Sequence, residues 1–133
     1  MSIQIDISVG ELLDKITILQ IKSERINDDA KLENINKELG ILQAQWGSSP
    51  YKNNDLDKNT KALKIVNEKL WDIEDQIRIK ESQQSFDQAF IELARSVYFI
   101  NDERAEIKRE LNSQTGSDLV EEKSYSDYTA DKS

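Results

Sequence analysis

Residues 10–26, "GELLDKITILQIKSERI", decide the fold class, because their apolar residues recur every three or four positions, as on an amphipathic helix. One apolar stripe, suited to burial in a bundle, consists of Leu12, Leu13, Ile16, Leu19 and Ile26. Ile18 and Ile21 lie on roughly the opposite side, among charged residues. Those charged residues are Glu11, Asp14, Lys15, Lys22 and Arg25. This second face predicts either a further packing interface with paired ions or a binding site.

The rest of the chain continues the helical pattern with few interruptions. After a first helix at about 9–26, apolar spacing predicts helices over about 30–46, 56–81 and 86–112. The loop "GSSPYKNND" (47–55) separates the second helix from the third. Short connections imply antiparallel neighbours. We therefore predict an all-α protein, an antiparallel bundle of about four helices built from long helical hairpins.

Two helix starts carry the pattern of a capping box. In "SVGE" we expect Ser8 to accept a hydrogen bond from the Glu11 amide, while the Glu11 side chain returns to the Ser8 N–H. In "SFDQ" the same pattern places Ser85 and Gln88 at the start of the fourth helix. These signals predict where the first and fourth helices begin.

The two ends of the chain depart from the helical pattern. "SIQIDI" (2–7) alternates apolar and polar residues, which predicts a short N-terminal strand. Its partner would be the segment 118–125 or a second copy of the chain, since a lone strand cannot satisfy its backbone. The C-terminal end is rich in Ser and acidic residues. We therefore expect one helical domain over 1–125 and a flexible, disordered acidic tail over 126–133.

The composition restricts the classes of function. With 26 acidic and 18 basic residues, the 133-residue chain has a net charge of −8 and lacks the clustered basic residues that bind nucleic acid. It has no Cys and no His, so thiol and imidazole catalysis and the usual zinc sites are excluded. We expect no metal centre and no cofactor. No apolar run has the length of a membrane span and no signal-peptide pattern is present, so we predict no membrane insertion and a cytoplasmic location.

Helix four carries a basic residue where its apolar stripe should be buried. Arg104 lies near the centre of that face, with Asn101 and Lys108 one turn away on either side. A buried guanidinium requires a carboxylate or a bound anion. The sequence therefore leaves two alternatives for Arg104, an internal ion pair or a ligand-binding arginine.

Charged residues from three predicted helices would meet if those helices pack together. On helix one, Lys22 and Arg25 lie one turn apart, a spacing that suits an anion. On helix three, Glu74 and Arg78 are spaced as an i,i+4 ion pair, and Trp71 beside them is most simply a packing residue. The resulting candidate polar interior, or anion-binding site, consists of Lys22, Arg25, Arg78, Arg104, Lys108, Glu11, Asp14, Glu74 and Asn101.

Four stretches, in this order, resemble one small helical family of bacteria and their phages, catalogued as a domain of unknown function. They are residues 10–26, "LWDIEDQIR" (70–78), "FIELARSVYFINDERAEIKRELN" (90–112) and "VEEKSY" (120–125). The resemblance runs from about residue 3 to 125 and leaves the last residues outside. Such proteins are often encoded beside genes for surface polysaccharides and glycosyl transfer. The resemblance implies a link to surface-glycan synthesis and a protein partner there, with no established activity or catalytic residue.

We expect a non-catalytic helical assembly or adaptor module, although an enzyme is not excluded. Amphipathic helices of this length often complete their core in a second chain, so we predict a homo-oligomer. The alternative is a bundle with a cationic pocket for a small anion. All-helical chorismate mutases, whose first helix is loosely similar to helix one, show that such a pocket can catalyse a reaction. A magnesium-dependent nucleotide hydrolase would instead use acidic pairs one turn apart, here Glu11/Asp14, Asp72/Asp75 or Glu103/Glu106.

Overall fold

The computed structural model describes residues 1–128 of the chain and contains four α-helices. They are α1 (Val9–Arg25), α2 (Asp29–Gly47), α3 (Asp57–Ser82) and α4 (Gln88–Thr115). The prediction of an all-α protein with four helices is confirmed, and each helix lies within a few residues of its predicted range. α1 packs against each of the other three helices, and α3 packs against α4 as a long hairpin.

The start of α1 is held by its own cap and by the end of α4. Ser8 Oγ accepts from the Glu11 amide at 3.1 Å, as predicted, and the Gly10 amide donates to Asn112 Oδ1 at 2.7 Å. The second predicted hydrogen bond of the capping box, from the Ser8 N–H to the Glu11 side chain, is wrong. The Glu11 side chain instead accepts from Lys108 at 2.6 Å. A Cβ on Gly10 would lie 2.5 Å from the Lys108 carbonyl oxygen. Glycine therefore allows the two helices to approach closely at this point.

The cap of α4 differs from the predicted one. Asp87 is the N-cap residue, and its carboxylate accepts from the Phe90 amide at 3.0 Å. Ser85 lies outside the helix and donates through Oγ to the same carboxylate at 3.2 Å. Asp and Ser are comparable N-caps, so the sequence pattern alone did not discriminate between two positions that lie two residues apart.

The predicted N-terminal strand is wrong. Residues 2–7 belong to no regular element, and the part of the chain that the structure describes contains no β-strand. Ile3 and Ile5 are 91% and 70% exposed. The segment 118–125 forms no ladder with them, and the two ends are joined instead by the Val9 amide, which donates to Ser117 Oγ at 3.3 Å. Without a paired neighbour, alternation of apolar residues does not produce a strand.

The described part of the C-terminal tail folds back along α4. Gly116 has a φ of 64°, a left-handed conformation that ends the helix and reverses the chain. The Tyr128 ring lies 5.2 Å from the Tyr98 ring and 5.0 Å from the Phe99 ring. The structure therefore does not support a flexible acidic tail as far as Tyr128. The remaining residues of the predicted tail, 129–133, lie outside the described residues.

The apolar core occupies only one end of the α3–α4 hairpin. Its buried members include Val9, Leu13, Ile16, Leu56, Leu63 and Leu111. At 1.5 Å per residue, the 26 residues of α3 and 28 residues of α4 extend about 40 Å, whereas the 17 residues of α1 extend about 26 Å. The hairpin therefore continues beyond α1. We call residues 72–100 the arm, and none of them is buried.

Candidate functional site

A fully buried carboxylate on α1 organises the polar residues of the core. Asp14, with 0% exposure, receives two hydrogen bonds from the Arg104 guanidinium: Nε donates to Oδ1 at 2.9 Å and Nη2 donates to Oδ2. Asn67 Nδ2 on α3 donates to Asp14 Oδ1 at 2.9 Å and to Thr17 Oγ1 at 3.0 Å. Thr17 Oγ1 in turn donates to the Asp14 carbonyl at 2.8 Å. The bidentate pair and the amide together satisfy the buried charge.

A buried lysine lies beside this pair. Lys108 Nζ donates to Glu11 Oε2 at 2.6 Å and to Glu121 Oε2 at 2.7 Å, and it lies 4.0 Å from Asp14 Oδ2. Glu121 lies in the segment that follows α4, so the "VEEKSY" stretch brings a partly exposed carboxylate to the buried lysine. We call the whole set the polar cluster: Glu11, Asp14, Thr17, Asn67, Arg104, Lys108 and Glu121.

The pKa shifts in the polar cluster all favour the charged forms. The hydrogen bond with Asp14 raises the pKa of Arg104 against the opposing effect of burial. Burial lowers the pKa of Lys108, but hydrogen bonds to Glu11 and Glu121 outweigh it and the net shift is upward. The hydrogen bond from Lys108 lowers the pKa of Glu121. These shifts move all three groups away from neutral pH, where a general acid or base works best.

Arg25 makes a separate site at the other end of α1. Its Nη1 donates to Asp72 Oδ1 at 2.6 Å, and its Nη2 lies 3.9 Å from Glu68 Oε2. The guanidinium carbon also lies 5.9 Å from the centre of the Trp71 ring. The hydrogen bond with Asp72 raises the pKa of Arg25. This arginine therefore joins α1 to α3 at the base of the arm, outside the polar cluster.

The structure separates the other predicted site residues from the polar cluster. Arg78 and Glu74 form the expected i,i+4 pair at 3.6 Å, but on the exposed arm. Lys22 is half-buried and makes no ion pair within residues 1–128. Asn101 lines an adjoining groove. Of the nine predicted residues, only Glu11, Asp14, Arg104 and Lys108 meet in the polar cluster.

Three members of the polar cluster were missed at the level of sequence. Asn67 had a weak signal, because it is a polar residue on the shoulder of the apolar stripe between Leu63 and Leu70. Thr17 had a similar position, among the isoleucines of the second face of α1. Glu121 had no local signal, since it lies beyond the end of α4 and reaches Lys108 only when the chain reverses after Gly116.

An open groove of about 460 Å³ adjoins the polar cluster at the base of the arm. Its apolar lining consists of Ile18, Ile21, Leu70 and Trp71. Its polar lining consists of Asn67, Glu74, Asp75, Asn101 and Arg104. Asp14 balances the charge of Arg104, while Glu74 and Asp75 add negative charge. The groove therefore suits an apolar or cationic group better than an anion.

The described chain offers neither a metal site nor a membrane span. Within residues 1–128, no three acidic side chains are grouped so that they could hold a metal ion. Both acidic residues of the Glu11/Asp14 pair bind cations of the chain itself. No α-helix of the described part is long and apolar enough to cross a membrane.

The family model of DUF6165, a family of unknown function, matches residues 3–133. The chain belongs to this family. The expected resemblance to a family of unknown function is thereby confirmed, and the match also includes the residues after 125 that we placed outside it. Neither a curated protein nor a solved structure matches the chain. The family's description names no activity.

Proposed function

We propose that the protein is a non-catalytic helical assembly module whose arm packs against a second copy of the chain. The observation that carries the proposal is the arm itself, in which no residue is buried. Ile79, Phe86 and Ile91 are 55%, 52% and 46% exposed there. A layer of two helices needs another layer to bury its apolar face. Exposed apolar surface of this kind is typical of protein interfaces.

The polar cluster supports an assembly role over an anion-binding one. Arg104 and Lys108 are the basic residues of the polar cluster, and each is bound to carboxylates of the chain. A small anion would have to displace Asp14 or Glu121 from these partners and leave a carboxylate unpaired, which is costly when it is buried. The alternative of a cationic pocket therefore stays a prediction that the observed pairing does not favour.

The distribution of charge along the arm favours an antiparallel arrangement of two copies. Arg25 is bound to Asp72 at the base of the arm, but this region stays acidic through Glu74, Asp75, Asp102 and Glu103. Towards the tip, Arg78 and Lys80 balance Glu81 and Asp87. A parallel pairing would place the acidic ends of the two arms next to each other, which is unfavourable. An antiparallel pairing places each tip at the other copy's base and has the two-fold symmetry most common among homodimers.

We further propose, from the resemblance alone, that the assembled protein serves surface-glycan synthesis in the cytoplasm of a bacterium or an infected host. Its protein partner would then belong to that synthesis. Removing the gene should change the amount or length of the surface polysaccharide. An unchanged polysaccharide would contradict this part of the proposal and leave the assembly role intact.

Sedimentation equilibrium over a range of protein concentrations tests the assembly role. We expect a mass near twice the 15.3 kDa of one chain for the unchanged protein. The double variant Ile79→Glu/Ala94→Glu adds carboxylates at two exposed positions, one on each helix of the arm, and should be monomeric. The matched control is Ile65→Glu, because Ile65 is 53% exposed on α3 outside the arm.

Circular dichroism should show the same helix content for all three proteins, since every substituted residue is exposed. A monomeric unchanged protein at every concentration would contradict the proposal. So would a control variant that dissociates as readily as the arm variant.

A further inference from the structure

The groove at the base of the arm and the aromatic ring at its tip have complementary chemistry. Phe86 lies in the turn just before α4, is 52% exposed, and touches Phe90 edge-on with ring centres 5.2 Å apart. The groove is lined by the side chains of Trp71 and three aliphatic residues. We propose that Phe86 of one copy inserts into this groove of a second copy. The inference rests on the self-association proposed above and assigns the contact that forms it.

Two-fold symmetry makes this contact occur twice. In an antiparallel pair of arms, the tip of each copy lies at the base of the other, so each copy supplies one ring and one groove. Phe86 and Asn101 are 15 residues apart along the chain, and helix spacing separates the tip from the groove by about 22 Å. A phenyl ring cannot reach the groove of its own chain across that distance, so Phe86 can enter this groove only on another molecule.

The size of the groove and its charge favour this occupant. A volume of about 460 Å³ lies in the range of sites that bury a small molecule, so the groove has room for an aromatic side chain. Glu74 and Asp75 make the groove acidic, whereas Arg78 and Lys80 lie on the last turns of α3 close to the tip. Arg78 is the more accessible of the two, with 78% of its side chain exposed. Because Lys80 is bound to Asp87, it is the Arg78 guanidinium, whose pair with Glu74 is exposed, that would approach the acidic groove together with the ring.

A pair of complementary variants tests the contact. Phe86→Ala removes the ring and leaves the groove intact. Asn101→Trp fills the groove and leaves the ring intact, and the Asn101 side chain makes no hydrogen bond within residues 1–128 that would be lost. Burial of one aromatic ring corresponds to about tenfold or more in affinity. Each variant alone should therefore raise the dissociation constant about a hundredfold, because it removes both contacts.

An equimolar mixture of the two variants should associate more tightly than either alone. In the mixed dimer the Asn101→Trp chain supplies its ring to the intact groove of the Phe86→Ala chain, which restores one contact. We expect a dissociation constant about tenfold above that of the unchanged protein. The matched control is Tyr125→Ala, which removes a ring that is 82% exposed outside the arm and should leave the dissociation constant unchanged.

The outcomes separate this inference from the assembly role. If the unchanged protein associates and the Ile79→Glu/Ala94→Glu variant does not, assembly through the arm stands. Unchanged affinities for Phe86→Ala and Asn101→Trp would then overturn the ring-in-groove contact alone. A mixture no tighter than its separate components would also overturn it. A monomeric unchanged protein would overturn both proposals.

Discussion

The α3–α4 hairpin contains two regions with similar amphipathic patterns and different surroundings. Where α1 covers it, Leu63 and Leu111 are completely buried and ion pairs join different helices. In the arm no residue is buried, and the ion pairs Arg78–Glu74 and Lys80–Asp87 remain exposed within the hairpin itself. A third helix packed on the hairpin therefore turns an apolar stripe into a core and a row of charges into a network of ion pairs.

The largest expected effect is at Asp14. Asp14→Ala leaves the Arg104 guanidinium and the Asn67 amide without their buried acceptor, so we expect a loss of about 3–5 kcal/mol in the free energy of unfolding, measured by urea denaturation. The matched control, Asp75→Ala, removes an exposed carboxylate at the base of the arm and should cost within about 0.5 kcal/mol. Equal losses in the free energy of unfolding for the two variants would contradict the difference between the buried polar cluster and the exposed arm.

Leucine truncation tests the same difference in packing. Leu63→Ala should cost about 2–5 kcal/mol, because Leu63 is completely buried beneath α1. Leu93→Ala should cost about 1 kcal/mol at low protein concentration, since Leu93 lies half-exposed in the arm. The cost at Leu93 should rise at concentrations that favour the dimer. Chemical denaturation at two protein concentrations measures both losses in the free energy of unfolding. A larger loss for Leu93→Ala than for Leu63→Ala in dilute solution would contradict the difference in packing between the two regions.

Gly10 tests the close approach of α1 to α4. Gly10→Ala places a Cβ against the Lys108 carbonyl, so the helices must separate, at a cost of about 1–3 kcal/mol. Gly40 lies in α2 with nothing within 4 Å of an added Cβ. Gly40→Ala should therefore stabilise the protein by about 0.5–1 kcal/mol through helix propensity. Thermal unfolding should show shifts of opposite sign, and a stabilised Gly10→Ala variant would argue against tight docking.

The smallest expected effect is a pH dependence at the tip of the arm. The hydrogen bond from Lys80, with the Phe90 amide, lowers the pKa of Asp87 from 3.8 to about 2. Because the folded pKa is the lower one, the stabilisation by Asp87 is complete above pH 3.8 and is lost as the pH falls through about 2. The difference in melting temperature between the unchanged protein and Asp87→Asn should shrink over this interval. An NMR titration midpoint of the Asp87 carboxylate at 3.8 would contradict it.

Short sequence patterns predicted the helix caps, whereas the pairing of residues far apart in the chain could be identified only from the folded structure. Ser8 caps α1 as expected because the hydrogen bond joins residues three positions apart. The position of Arg104 on an apolar stripe correctly required a counter-charge, and Asp14 supplies it. Periodicity could not single out Asp14, because it assigns residues to faces and leaves open which faces touch. The predicted strand failed for the same reason, since strand pairing depends on a distant segment.

By itself, the sequence determined the four helices, their caps to within a few residues, and a chemistry without thiol or imidazole, since these depend on neighbouring residues and on composition. Only the tertiary structure decided that Glu121 reaches Lys108, that Arg25 and Arg78 stay outside the polar cluster, and that the arm is uncovered. The physical reason is that contacts between distant residues depend on where each helix ends and on how the helices cross. α1 has too few residues to follow α3 and α4 to their tip, so the same apolar pattern is buried at one end and exposed at the other.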